Sequence, residues 1–158
     1  MPDARERIRN LLRVLPVPGF SPKILIDRLE QFLEESLEII PRVGDLLASR
    51  EIVLAGPLVD RSQELAETVL ENQIPETVTL ARSARQLGAA AASAFGGGFG
   101  GSVWALVKTD AAEPFRKRWA ERYAAQRSPA RTDPPGWPVR SKRSRRYAEK
   151  PDGSLPSS

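Results

Sequence analysis

Apolar residues between positions 22 and 40 recur at the spacing of an amphipathic helix, with acidic residues on much of the opposite face. Ser21 and Pro22 suit the N-cap and the first helical position. Pro41 is expected to end or kink this helix because its ring clashes with the preceding turn, and the helix resumes after it for two turns. The stripe expected to face the core consists of Ile26, Leu29, Leu33, Leu37 and Ile40.

Two further helices are predicted at residues 57–71 and 75–87 from the same kind of spacing. Pro57 suits the first position of the former, and Gly88 suits the position just beyond the end of the latter. The inward positions of the helix at 57–71 are expected to be Leu58, Ser62, Leu65, Val69 and Leu70.

The segment at 89–95, AAAASAF, is ambiguous, because alanine favours helix whereas glycines stand on both sides of the segment. The segment at 102–108, SVWALVK, has the composition of a buried strand. A last helix is predicted at 111–125, opened by a capping box of Asp110 and Glu113. Its apolar stripe is expected to be Phe115, Trp119 and Tyr123.

Five glycines lie within the six residues 96–101, in the sequence GGGFGG. Their spacing satisfies the pattern G-x-G-x-x-G, but a dinucleotide site needs a helix after the glycines, and here a strand is predicted. A Walker A loop is excluded because no Lys-Ser or Lys-Thr pair directly follows the last glycine. Two interpretations remain open: a glycine-rich turn between two strands, or a concavity whose main-chain amides receive an anion.

Composition narrows the chemistry further, because the 158 residues include no cysteine and no histidine. Disulfides, thiolate metal sites, Ser-His triads and the commonest metal ligand are therefore excluded. The N-terminus has no apolar stretch typical of a signal peptide, and no window approaches the roughly 20 apolar residues of a membrane span. The expected setting is the cytoplasm, without membrane attachment.

The positive charge lies at the C-terminal end of the chain. Residues 127–158 hold 8 of the 24 basic and 3 of the 20 acidic residues, so the preceding residues are nearly neutral. This tail is rich in proline, arginine and serine and is predicted to be disordered. Its basic positions, Arg140, Lys142, Arg143, Arg145 and Arg146, are expected to form a solvated segment rather than a nucleic-acid site.

The sequence GGGFGGSVWALV resembles the third signature motif of the GHMP small-molecule kinases, above all that of galactokinases. The preceding stretch at 58–89 resembles the galactokinase segment in which a small-residue helix leads to a Pro-Glu pair and a second helix. The resemblance covers residues 24–125 and implies an α+β fold that is mostly helical by residue count. In that fold, a small antiparallel sheet of ferredoxin-like type is backed by helices, so the resemblance favours a strand for 89–95.

The family transfers the γ-phosphoryl group of ATP to a hydroxyl of a small molecule, with Mg²⁺. The resemblance therefore implies ATP, Mg²⁺ and a sugar substrate. It places a phosphate- and substrate-facing loop at Gly96, Gly97, Gly98, Phe99, Gly100 and Gly101.

This sequence departs from the family pattern at several points. Ala94 and Phe95 stand where the family has a basic residue and a Thr or Ser, and Ser62-Gln63 stands where galactokinases have Ser-His. The nucleotide-binding motif, the galactose signature and the catalytic aspartate of the family's N-terminal half have no counterpart in the 158 residues. No catalytic residue and no metal ligand can therefore be assigned.

Three segments follow from these patterns: a lead segment at 1–21, a GHMP-type domain at 22–126 and the basic tail at 127–158. The domain is expected to be the C-terminal half of a galactokinase-like enzyme, either truncated or split, and inactive without an N-terminal-half partner. The tail is unlike the family's C-terminus, and a frameshift or read-through is one origin for it. The alternative is a non-catalytic interaction domain whose tail contacts nucleic acid or an acidic partner.

Two other groups of side chains are given structural interpretations. A metal site is one interpretation of the carboxylates Glu30, Glu34, Glu35 and Glu38, but without histidine a solvated acidic helix face is the favoured one. The aromatic residues Trp104, Phe115 and Trp119 are expected in the core rather than in contact with a ligand.

Overall fold

Helices make up most of residues 3–126, and a single β-hairpin supplies the sheet of this part of the chain. The computed structural model describes residues 3–126. The elements in chain order are α1 (Ala4–Val14), α2 (Pro22–Glu34), a π-helical segment (Glu35–Ile39), α3 (Ile40–Ala48), α4 (Ile52–Thr68), α5 (Pro75–Gln86), β1 (Ala91–Phe95), β2 (Ser102–Leu106), a 3-10 turn (Thr109–Ala111) and α6 (Ala112–Gln126). The predicted α+β class, mostly helical with a small antiparallel sheet, is confirmed.

The β-hairpin forms part of a buried hydrophobic cluster. β1 and β2 pair antiparallel from Ala91 opposite Leu106 to Phe95 opposite Ser102. Helices α5 and α6 pack on one face of this hairpin, where alanines allow a close approach. The strand favoured for 89–95 is thus confirmed over the helix that alanine propensity suggests, because tertiary packing outweighs propensity. The buried cluster consists of Ala84, Ala89, Ala92 and Phe115.

Pro41 does not interrupt the helix that begins at Pro22. The residues before it form the π-helical segment, in which the Ile40 amide donates to the Glu35 carbonyl, and helix continues as α3. Proline has no amide hydrogen, and its ring crowds the preceding turn of an α-helix. Because a π turn is wider than an α turn, it leaves more room for the ring. The proline is accommodated by a local change of helix type.

The π-helical segment changes which side chains face inward. One extra residue in a turn rotates the following side chains by about 100°, since an α-helix has 3.6 residues per turn. Ile39 is accordingly buried, whereas Leu37 and Ile40 are 66% and 60% exposed. The predicted inward stripe is wrong for these last two positions.

Helix α4 begins five residues earlier than predicted and ends at Thr68 rather than at residue 71. Pro57 consequently lies inside the helix, and the carbonyl that loses its partner belongs to Val53, which is 71% exposed and can be solvated. The buried face differs from the prediction in its first two turns, whereas Leu65 is buried as predicted. Val59 and Gln63 are buried, whereas the predicted Leu58 and Ser62 are half-buried.

The predictions for the C-terminal helices are largely confirmed. Helix α5 spans Pro75–Gln86 with Gly88 just beyond its end, and Phe115 and Trp119 of α6 pack with their ring centroids 5.5 Å apart. The predicted capping box is wrong, because the Glu113 carboxylate pairs with Arg116 instead. Trp104 is 39% exposed and does not belong to the core.

The lead segment contains a helix that the sequence patterns did not predict. Helix α1 has no buried residue. It is held to α2 by Arg5 and Arg9, which both pair with the Glu30 carboxylate. The acidic face of α2 is therefore partly covered by arginines rather than solvated throughout. Arg61 of α4 pairs in the same way with Glu34.

Acid should loosen the contact between α1 and α2. Hydrogen bonds from Arg5 and Arg9 lower the pKa of the Glu30 carboxyl from its ordinary value of 4.5. A lowered pKa in the folded state stabilises the contact above that ordinary value, and the stabilisation is lost as pH falls through the lowered pKa. We expect the amide resonances of α1 to shift toward those of an unpaired helix as pH falls below 4.5.

Glu30→Gln is the control for this acid effect, because glutamine keeps the shape of the side chain but has no charge to lose. We expect the α1 resonances of Glu30→Gln to resemble those of the acidified protein already at neutral pH. The same pH profile in both proteins would show that Glu30 does not hold α1.

Two further sequence expectations concern the chain outside this fold. The predicted disordered tail, residues 127–158, lies outside the residues that the structure describes. Between residues 3 and 126, no helix combines the length and the hydropathy that crossing a membrane requires.

Candidate functional site

The glycine loop, residues 96–101, joins β1 to β2 at the tip of the hairpin. A strand precedes it and a strand follows it, so the strand–loop–helix arrangement of a dinucleotide site is absent here. Gly98 has a φ angle of +86° and Phe99 one of +58°. The left-handed region is accessible to glycine at little cost but strained for phenylalanine, so contacts outside the loop must fix this conformation.

Asn72, in the connection between α4 and α5, holds the tip of the loop. Its main-chain carbonyl accepts the Phe99 amide at 2.5 Å, and its side-chain amide donates to the Gly97 carbonyl at 3.5 Å. The backbone at Gly98 approaches so closely that a Cβ there would lie 2.3 Å from the Asn72 carbonyl oxygen. Only glycine fits at this position.

Gln63 of α4 holds the strand that leads into the loop. Its side-chain oxygen accepts the Ala94 amide at 2.8 Å and the Ser93 hydroxyl at 2.9 Å, and its amide group donates to Glu67 at 3.1 Å. Gln63 is only 6% exposed. These bonds satisfy both ends of a buried side chain that would otherwise cost free energy.

Arg85 of α5 joins the start of the hairpin to α4. Its guanidinium donates to the main-chain carbonyls of Ala89 and Ala90 and forms a bidentate pair with Asp60. The backbone of Gly56 lies against this contact, and a Cβ there would be 2.3 Å from the Ala90 carbonyl oxygen. The hairpin is thus fixed at its base by Arg85 and near its tip by Gln63 and Asn72.

The glycine loop lies largely at the surface. Phe99 is 73% exposed and Phe95, at the loop's entrance, is 69% exposed. Within residues 3–126, the Phe99 amide is the one loop amide that donates to a main-chain carbonyl, so the five glycine amides remain for water or a ligand. Successive main-chain amides in a turn with residues at positive φ can form a concavity that suits an anion such as a phosphate.

Three carboxylates of α4 form ion pairs with arginines. Asp60 pairs with Arg85, Glu67 pairs with Arg82, and Glu64 pairs with Arg61. No group of three or more carboxylates that could hold a metal ion occurs in the described part of the chain. Of the acidic positions that the sequence analysis considered for a metal, Glu30 and Glu34 of α2 form ion pairs with arginines instead.

All six predicted loop residues lie together at the hairpin tip, whereas the two residues that hold the loop were not predicted to do so. The sequence signal at Gln63 was misleading, since the predicted inward face of α4 held Leu58 and Ser62 whereas the structure buries Val59 and Gln63. Asn72 had none, because it stands in a connection without periodicity. Its contact with the loop spans 27 positions and depends on the tertiary fold.

Comparison with protein-family models matches residues 44–125 to the family described as GHMP kinases C terminal. A search of curated proteins found no match to this chain. The matched region runs from within α3 to the end of α6 and includes the glycine loop with both of its anchors. It spans just over half of the 158 residues, so the chain belongs to the GHMP kinase superfamily and carries its C-terminal domain.

Proposed function

We propose that this domain supplies the glycine-loop wall of a phosphoryl-transfer site in a galactokinase-like sugar kinase. The observation that carries the proposal is the loop at residues 96–101, whose glycine amides have no main-chain acceptor within residues 3–126. Main-chain donors held in place by the fold are suited to the charge that develops on phosphate oxygens during transfer. The reaction class follows from the family, and the sugar substrate is the finer part of the proposal.

The chemistry of residues 3–126 also supports the participation of a second polypeptide in the reaction. ATP and Mg²⁺ are part of the proposed reaction, yet residues 3–126 present no carboxylate cluster for a cation. The nucleotide-binding motif and the catalytic aspartate have no counterpart in the 158 residues. We therefore assign nucleotide binding, the metal and the catalytic base to an N-terminal-half partner, and we place the assembled enzyme in the cytoplasm.

Reconstitution tests this function directly. The full chain is mixed with a purified N-terminal half of a galactokinase, and ADP release is followed in the presence of ATP, Mg²⁺ and galactose. We expect release at least tenfold above that of either component alone, and we expect it to require the sugar. A mixture without sugar and a mixture with bovine albumin in place of the chain are the controls.

Two results would contradict the proposal. One is a mixture that releases no ADP with galactose, homoserine or mevalonate as acceptor. The other is tight ATP binding by the chain alone in calorimetry, because it would show that nucleotide binding does not require a partner.

A further inference from the structure

We infer that Gln63 is a positioning residue for the glycine loop, holding it through β1 without touching substrate. The inference rests on the proposed function, because the position of the loop matters for catalysis only if the loop meets a phosphate. Ala94 lies two positions before the first loop glycine, and its amide donates to the Gln63 side chain. Any displacement of Gln63 is therefore transmitted through one strand residue, Phe95, into the loop.

The hydrogen bonds between Gln63 and β1 fix the position of the strand. The side-chain oxygen of Gln63 accepts hydrogen bonds from the Ala94 amide and the Ser93 hydroxyl. Because these donors belong to consecutive residues, the oxygen restrains both the translation and the rotation of the strand. Glu67, one turn later on α4, accepts from the other end of the Gln63 side chain and sets its orientation. The exposure of Gln63 is 6%, so water cannot easily replace these partners.

Both anchors of the loop belong to the same part of the chain. Gln63 lies in α4, and Asn72, which holds the loop's tip, lies four residues beyond the end of that helix. Helix α4 is itself fixed from its other side, where the Ser62 hydroxyl donates to Glu35 at 2.5 Å. Ser62 thus connects α4 to the π-helical segment, and the adjacent Gln63 connects α4 to β1 and, through β1, to the loop.

A single substitution can test the coupling between Gln63 and the glycine loop. The chain contains no histidine, so between about pH 5.2 and 7.2 none of its side chains passes through its ordinary pKa. In Gln63→His, a neutral imidazole nitrogen can accept the Ala94 amide as the glutamine oxygen does. Protonation around an ordinary pKa of about 6.5 converts both ring nitrogens to donors and abolishes that acceptor.

The measurement is a pH series of amide ¹H–¹⁵N spectra on the full chain, without nucleotide, sugar or partner. In Gln63→His we expect Ala94, Gly96, Gly97 and Gly98 to shift with one common midpoint. In the unsubstituted protein these resonances should stay constant. Gln126→His is the matched control, since Gln126 is exposed at the end of α6 and a histidine there should leave the loop resonances unchanged.

An Ala94 resonance that titrates while the glycines stay fixed would overturn the inference; no titration at any of these positions, which burial produces by lowering the pKa of the imidazole, calls for the second variant, Ser93→Ala. If Gln63→His does not fold, Ser93→Ala replaces it, because it removes one donor and leaves Gln63 in place. Unshifted loop glycines in Ser93→Ala would then overturn the inference. Neither experiment measures kinase activity, so a failure here is distinct from a failure of the reconstitution.

Discussion

Replacing Gly56 by alanine is expected to lower the free energy of unfolding by about 1–3 kcal/mol, the usual cost of an added group in a tightly packed site. A Cβ at this position would lie 2.3 Å from the Ala90 carbonyl oxygen and 2.7 Å from a guanidinium nitrogen of Arg85. Arg85 is held by Asp60 and by two carbonyls at the base of the hairpin. Helix α4 must therefore move away from β1, and the Arg85 contacts must lengthen.

Denaturant unfolding followed by circular dichroism measures this loss, and Gly44→Ala is the matched control. Gly44 also lies in a helix, α3, but nothing stands within 4 Å of the position a Cβ would take. Alanine there is expected to raise stability by up to about 1 kcal/mol through its helix propensity. Equal stabilities for the two variants would contradict the close packing of α4 against the hairpin.

Helix α5 and strand β2 could be predicted because their signals are local and agree with one another. Pro75 at the start of α5 and Gly88 beyond its end mark both boundaries of that helix. The valine, tryptophan and leucine of β2 follow a run of glycines, which is the signature of a hairpin turn. Only the alanines of β1 carried a conflicting local preference, and packing under α5 and α6 decided in favour of a strand.

Pro41 and Pro57 both lie within continuous helices in the structure. A proline is penalised inside an ideal α-helix, so the sequence rules predicted an end or a kink at Pro41 and a helix start at Pro57. In the structure, a π-helical segment accommodates Pro41, and a solvated carbonyl at the exposed Val53 accommodates Pro57. Both solutions depend on what surrounds the helix, which periodicity does not describe.

The candidate site, too, was predicted only in part from the sequence. The glycines were visible because their composition is unusual, and the resemblance to GHMP kinases assigned them a role. Gln63 and Asn72 act across 31 and 27 positions of sequence, and only the fold brings them to the hairpin. Composition identifies the loop, whereas tertiary contacts determine its conformation.

Replacing Gly98 by alanine is expected to displace the loop from Asn72 and to have the largest effect on activity. Two costs combine at this residue: a φ angle of +86°, which alanine rarely adopts, and a Cβ that would lie 2.3 Å from the Asn72 carbonyl oxygen. The bond between that oxygen and the Phe99 amide must then break. In the reconstituted kinase we expect kcat/KM to fall about 100-fold, the effect typical of misplacing a reacting group by about 1 Å.

Gly97→Ala is the control within the same loop, since residue 97 has no neighbour within 4 Å of a Cβ and its φ lies outside the left-handed region. Hydrogen exchange of the Phe99 amide separates a structural effect from a catalytic one without the partner. It should be accelerated in Gly98→Ala and unchanged in Gly97→Ala. If both variants retain slow exchange and Gly98→Ala retains activity, then the contact with Asn72 does not hold the loop. If exchange accelerates but activity persists, the loop is a hairpin turn and the phosphate lies elsewhere.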